Sequence, residues 1–143
     1  MDYFTAIKIS AAGMAAQKTR IEAAALNIAN MNVSAAPGAP GYRPVTTVTR
    51  MAPLSFPSLM GYGGQSPMVA KASIVAQPGA GVRLAYEPGH PDADANGMVA
   101  YPAIDHTAEM MTVVTAMRSY QANLAVLQVS KTLMTKALEI GGQ

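Results

Sequence analysis

The chain has 143 residues and a formal net charge of +2, with 50% apolar and 13% charged residues and no cysteine. Lack of cysteine excludes thiol catalysis, thiolate metal centres and disulfides, and basic residues scattered from Lys8 to Lys136 exclude the clustered footprint of a nucleic-acid binder. A lone soluble domain carries about 25% charged residues, so a surface this poor in charge points to a subunit covered by neighbours.

The chain opens Met1-Asp2-Tyr3-Phe4, without the basic start of a secretory signal, and no apolar run approaches the ~18 residues of a membrane span. The expectation is a protein that stays in the cytoplasm or leaves by a route that cleaves no signal. Asp2 is placed as the N-cap of a first helix reaching about Asn30. Ile7, Met14, Ile21 and Ile28 recur at heptad spacing, flanked by Ala11 and Ala25. Ile9, Ala12, Ala16, Ala23 and Leu26 form a second stripe about 200° around the helix. A helix apolar on two faces is covered from two sides.

From Val33 to Pro67 prolines and glycines forbid long helix. Short strands are predicted at 45–49, 69–75, 81–86 and 98–101, with a turn at Gln77-Pro78-Gly79-Ala80-Gly81 joining two of them. They read as one small antiparallel β unit with long loops, the 53–67 loop ordering only against a partner.

A last helix is predicted from about Thr107 to just before Gly141-Gly142, with Glu109 favourably placed in its first turn. Its heptad reads Met110, Val113, Met117, Tyr120, Leu124, Leu127, Lys131, Met134 and Leu138, a coiled-coil seam interrupted only by Lys131. Ala122, Val126, Val129, Leu133 and Ile140 make the opposite face apolar as well. One such seam is a marginal match for the entropy of ordering two long helices, so both ends are expected to be poorly ordered in a monomer and to fold on assembly.

The motifs with chemical potential have plainer readings. Asp92-Ala93-Asp94-Ala95-Asn96-Gly97 opens like a calcium loop, but Ala103 stands where the bidentate glutamate belongs. It reads as a structural turn, with Asn96-Gly97 favouring a tight hairpin. His90 has Glu87, Asp92 and Asp94 nearby, without the ligand spacing of a zinc site. Gly61-Tyr62-Gly63-Gly64 lacks the strand-turn-helix setting of a phosphate loop. Methionines on the helical seams, such as Met14, Met110, Met117 and Met134, read as packing. No catalytic, metal or cofactor residue is assigned.

Three stretches resemble the flagellar rod–hook axial-protein family. They are Ala24-Ala25-Leu26-Asn27-Ile28-Ala29-Asn30 with Gly41-Tyr42-Arg43, then Tyr86-Glu87-Pro88-Gly89-His90-Pro91-Asp92-Ala93 continuing to Val99-Ala100-Tyr101-Pro102, and then Glu109-Met110, Arg118-Ser119-Tyr120-Gln121-Ala122-Asn123 and Leu138-Glu139-Ile140-Gly141. The second stretch is similar to the proximal rod members. Val33 and Ala103 depart from the family's usual Thr and Asn.

The resemblance implies a structural subunit of the proximal rod of the bacterial flagellar basal body. Such a subunit is exported by the flagellar type III apparatus without signal cleavage and polymerises across the periplasm into a tubular drive shaft enclosing the export channel. Its partners would be copies of itself, other proximal rod proteins, the adaptor between rod base and export gate, and the export apparatus, with no nucleic acid, small-molecule substrate or cofactor. The expected fold is α+β: two terminal helices, 1–32 and 107–143, pair as a coiled-coil hairpin, and a β unit with loops, 33–106, is inserted between them. The assembly residues would be Ile7, Met14, Ile21 and Ile28 on the first helix and Met117, Tyr120, Leu124, Leu127, Met134 and Leu138 on the last, with Asn27, Asn30 and Asn123 fixing register through hydrogen bonds. Two other readings remain: a soluble helical adaptor or secretion chaperone, and a metal-dependent enzyme built on His90, Asp92 and Asp94.

Overall fold

The computed structural model describes residues 3–53 and 68–141. In chain order these form α1 (Tyr3–Asn30), β1 (Val45–Pro53), β2 (Met68–Ala76), β3 (Val82–Tyr86), β4 (Met98–Pro102) and α2 (His106–Gly141). The class is α+β, with a long helix towards each end. The Asp2 cap, the Gly61–Gly64 stretch, Gly142 and all but the first residue of the 53–67 loop lie outside the described residues.

α1 is proline-free and rich in alanine, the strongest helix former. It ends in a tightened turn, Met31 N–H to Ile28 O and Val33 N–H to Asn30 O, and Pro37 and Pro40 prevent its resumption. α2 starts at a cap that the sequence reading passed over. Asp105 Oδ1 accepts from Thr107 N (2.8 Å) and Ala108 N (3.3 Å), satisfying donors that the first turn leaves open. The helix runs through Gly141, a residue beyond the expected stop, within the latitude of a fraying end.

The β residues form two separate two-stranded sheets, β1–β2 and β3–β4, where one unit was expected. β1 continues four residues past the predicted Thr49 to Pro53. Proline cannot donate to a ladder, so it suits a strand end, and Pro102 closes β4 in the same way. β3 and β4 are antiparallel, with Val82 opposite Pro102 and Tyr86 opposite Met98. The 77–81 turn closes through Ala80 N–H to Gln77 O, with Gly79 at φ +70°. It links β2 to β3, strands of different sheets.

The residues group into two compact units. One comprises Met1–Thr19, Val48–Ser73 and Thr115–Gln143; among its described residues Ser10, Ala16, Ala116 and Ser130 are buried. The other comprises Arg20–Thr47 and Ile74–Val114; it buries Ala23, Ala24, Asn27, Val99 and Ala100. Both interiors are built mainly of small side chains. Large apolar residues such as Ile9, Leu26, Met111, Val129 and Leu133 stay exposed.

Candidate assembly surface and the Asn27 hub

On α1 the buried Ala16 and Ala23 belong to the expected second stripe, whereas on α2 the buried residues follow a heptad one residue before Met110, Met117 and Leu124. On α2, Ala116 and Ser130 are buried, and Glu109 and Asn123 are half-buried in the same phase. The large side chains assigned to the seam sit one position later. Met117 is 49% exposed and Leu138 69%, and Met110, Leu124 and Met134 are exposed too. One residue is about 100° of rotation, so the Met/Leu stripe stands beside the inward face and not on it. Of the other assigned positions on α2, Leu127 is half-buried and Tyr120 exposed. On α1 the inward residues are again small or polar: Ser10, Ala24 and Asn27 are buried, Gly13 and Gln17 half-buried. Ile7, Met14, Ile21 and Ile28 are all half-buried beside them.

Small residues let helices approach closely. A β-carbon built on Gly13 would lie 2.9 Å from Asn123 Nδ2 and 3.1 Å from its Cγ and Oδ1. Asn123 thus occupies the space that Gly13 leaves open. Gln17 Oε1 is buried without a hydrogen-bond partner among the described residues.

Asn27, 2% exposed, organises the second unit. An asparagine amide offers two donor hydrogens and an oxygen with two lone pairs, and every one is used. Nδ2 donates to Val45 O (2.8 Å) and to Glu109 Oε1 (2.7 Å). Oδ1 accepts from Val45 N (2.8 Å) and from the Tyr42 hydroxyl (3.0 Å). The paired bonds to Val45 imitate a strand partner and place the first residue of β1. Glu109, assigned from sequence to the helix dipole, also receives the amide of α1. Burial, and then the nearby Glu109 carboxylate, push the Tyr42 hydroxyl above its ordinary pKa, keeping it a donor. The Asn30 side chain bonds within its own helix, Nδ2 to Leu26 O (2.8 Å).

The acidic loop is held by its own backbone. Asp94 Oδ1 accepts from Asn96 N (2.8 Å) and Met98 N (2.9 Å), and these bonds, chiefly that from Met98, lower its pKa. His90 Nδ1 accepts from Asp92 N (3.1 Å), and Asp92 Oδ2 accepts from Ser34 Oγ (2.6 Å). Ala35 and Ala100 exchange both backbone hydrogen bonds at 2.9 Å, fastening the segment after α1 to β4.

No protein-family model matches the chain. Whole-length relatives are nonetheless clear. The FlgC flagellar basal-body rod protein of Salmonella typhimurium is 38% identical over 135 residues, 93% of each chain. That of Yersinia enterocolitica is 36% identical over 141 residues, and that of Bacillus subtilis 32% over 149, each covering 99% of both chains. The chain belongs to the FlgC family of flagellar basal-body rod proteins. Its FlgC membership agrees with the rod–hook resemblance and makes it a structural component of the basal-body rod. The FlgC relatives span almost its whole length, so α1, both sheets and α2 all fall within the shared region.

Proposed function

We propose that this chain is a subunit of the proximal rod, polymerising with copies of itself and with other rod proteins into the tube that transmits torque and encloses the export channel. The terminal helices, 1–32 and 107–143, form a coiled-coil hairpin with segment 33–106 inserted between them. The chain reaches the rod through the flagellar type III export apparatus and joins it near the adaptor between rod base and export gate. The observation that carries this reading is the outward heptad of α2. Met110, Met117, Leu124 and Leu138 are exposed although the helix already has an inward face of Glu109, Ala116, Asn123 and Ser130. Knobs of that size at heptad spacing, interrupted by Lys131, suit the holes of neighbouring helices. The hairpin draws support from the Asn27–Glu109 hydrogen bond in one unit and from the close approach of Asn123 to Gly13 in the other.

Electron microscopy of basal bodies from cells lacking the gene tests the proposal. The expected result is rods that stop at the inner membrane, restored by the intact gene. The Met117→Lys/Leu124→Lys variant should be exported and folded yet fail to restore them. Complete rods without the gene would move a soluble adaptor or secretion chaperone to first place.

A further inference from the structure

The loop between β3 and β4 carries a chemically reactive pair. Asn96 is followed by Gly97. The backbone nitrogen of a glycine, unhindered by a β-carbon, can attack the side-chain amide carbon of a preceding asparagine. The Gly97 N–Asn96 Cγ bond forms and the Cγ–Nδ2 bond breaks. Ammonia leaves with the proton of the backbone amide, and a five-membered succinimide remains. One water then opens either ring carbonyl, leaving aspartate or β-linked isoaspartate at position 96. The reaction needs the Gly97 nitrogen free of its proton and turned towards Cγ.

The fold opposes both requirements. Gly97 N–H donates to Asp94 O (2.9 Å), which holds its proton and points the nitrogen back at residue 94. Asp94 Oδ1 accepts from Asn96 N and Met98 N, so one carboxylate pins the peptides before and after the pair. Gly97 O accepts from Glu87 N (2.8 Å). Gly97 has φ +74°, and a β-carbon on it would lie 2.9 Å from Tyr86 Cε2 and 3.2 Å from Pro88 Cα. Gly97 is therefore closely flanked by Tyr86 and Pro88. Asn96 itself is exposed, so water and base reach it and the protection is purely conformational.

We propose that Asn96–Gly97 is a latent deamidation site guarded by Asp94, whose hydrogen bonds hold the pair out of succinimide geometry until the turn opens. The β-linked product adds a carbon to the main chain inside a loop tied at both ends by the Glu87–Gly97 and Asp94–Met98 bonds. A chain modified while unfolded cannot re-form both, so the site records time spent unfolded.

The test incubates the purified intact protein at mildly alkaline pH, in native buffer and in concentrated urea. Peptide mass spectrometry follows ammonia loss and isoaspartate at residue 96. The native rate should be at least about tenfold below the urea rate, because local opening precedes reaction. Asp94→Ala should bring the native rate close to the urea rate while circular dichroism shows the helices intact. Asp94→Asn, which keeps an acceptor oxygen, should stay slow. Equal rates in buffer and urea would overturn the latent site. An Asp94→Ala protein that is folded and still as slow as the parent would overturn the guard. Should Asp94→Ala not fold, a fast Asp94→Asn would overturn the guard and a slow one support it.

Discussion

Replacing Asn27 with alanine removes four hydrogen bonds from a side chain that is 2% exposed. Three are between neutral groups, each contributing about 1 kcal/mol net, and the fourth, to a carboxylate, contributes about 1.5–3 kcal/mol. Tyr42 and Glu109 are half-buried and recover some hydration, so the expected loss is about 3–4 kcal/mol, at the severe end for one substitution. Asn27→Asp has nearly the same volume and separates packing from chemistry. It takes the donor from Val45 O and Glu109 Oε1 and sets two carboxylates at hydrogen-bonding distance. It should destabilise at least as much as alanine at neutral pH. The loss should shrink as pH falls through the carboxylate range and the pair takes up a proton. Glu109→Gln in the Asn27→Asp background should recover part of it. Urea unfolding followed by circular dichroism, with the parent, Asn27→Asp, Glu109→Gln and the double variant forming a double-mutant cycle, measures these terms. An Asn27→Ala loss below about 1 kcal/mol, or an Asn27→Asp variant whose stability is indifferent to pH and to Glu109, would refute the hub.

Three further outcomes follow from local geometry. Gly97→Ala forces a β-carbon against Tyr86 and the Pro88 backbone at positive φ, whereas Gly79→Ala meets nothing within 4 Å. The first should cost more than about 2 kcal/mol and the second about 1 kcal/mol, the left-handed backbone penalty alone, as read from thermal unfolding. Gly13→Ala should come out close to neutral, because the gain in helix propensity of about 1 kcal/mol is offset by displacing Asn123. In an Asn123→Ala background the full gain should appear, and equal effects in both backgrounds would remove the proposed contact. Asp94 has a depressed pKa in the folded chain, so its contribution to stability is present above the ordinary carboxylate value of about 4 and is lost as pH falls through the lower folded value. Amide exchange at Met98 should rise over that window, and Asp94→Asn should flatten the dependence.

Both helices were legible because proline-free, alanine-rich stretches bounded by Pro and Gly leave little else for the backbone to do. The four strands were legible from short β-branched runs between turn residues, but their division into two sheets was not, since pairing depends on contacts remote in sequence. The inward phase of α2 escaped for a different reason. Ranking positions by hydrophobicity selects Met110, Met117 and Leu124, whereas the chain buries Ala116 and Ser130, residues chosen for closeness of approach. The seven-residue recurrence of Glu109, Ala116, Asn123 and Ser130 was visible in the sequence, and a search for small and polar heptads would have found it. Asn27 was singled out as a polar group in an apolar helix, yet its partners Tyr42, Val45 and Glu109 could not be read from spacing.

The one-residue offset on α2 gives the helix a grammar that genetics can parse. Alleles at 109, 116, 123 and 130 act on the fold of the single chain and should yield temperature-sensitive, protease-susceptible protein. On the proposed assembly, alleles at 110, 117, 124 and 138 should spare that fold and yield dominant-negative subunits, stable but poor company in the rod. Residue number modulo seven would then sort a collection of motility mutants into two phenotypic classes before any of them is purified.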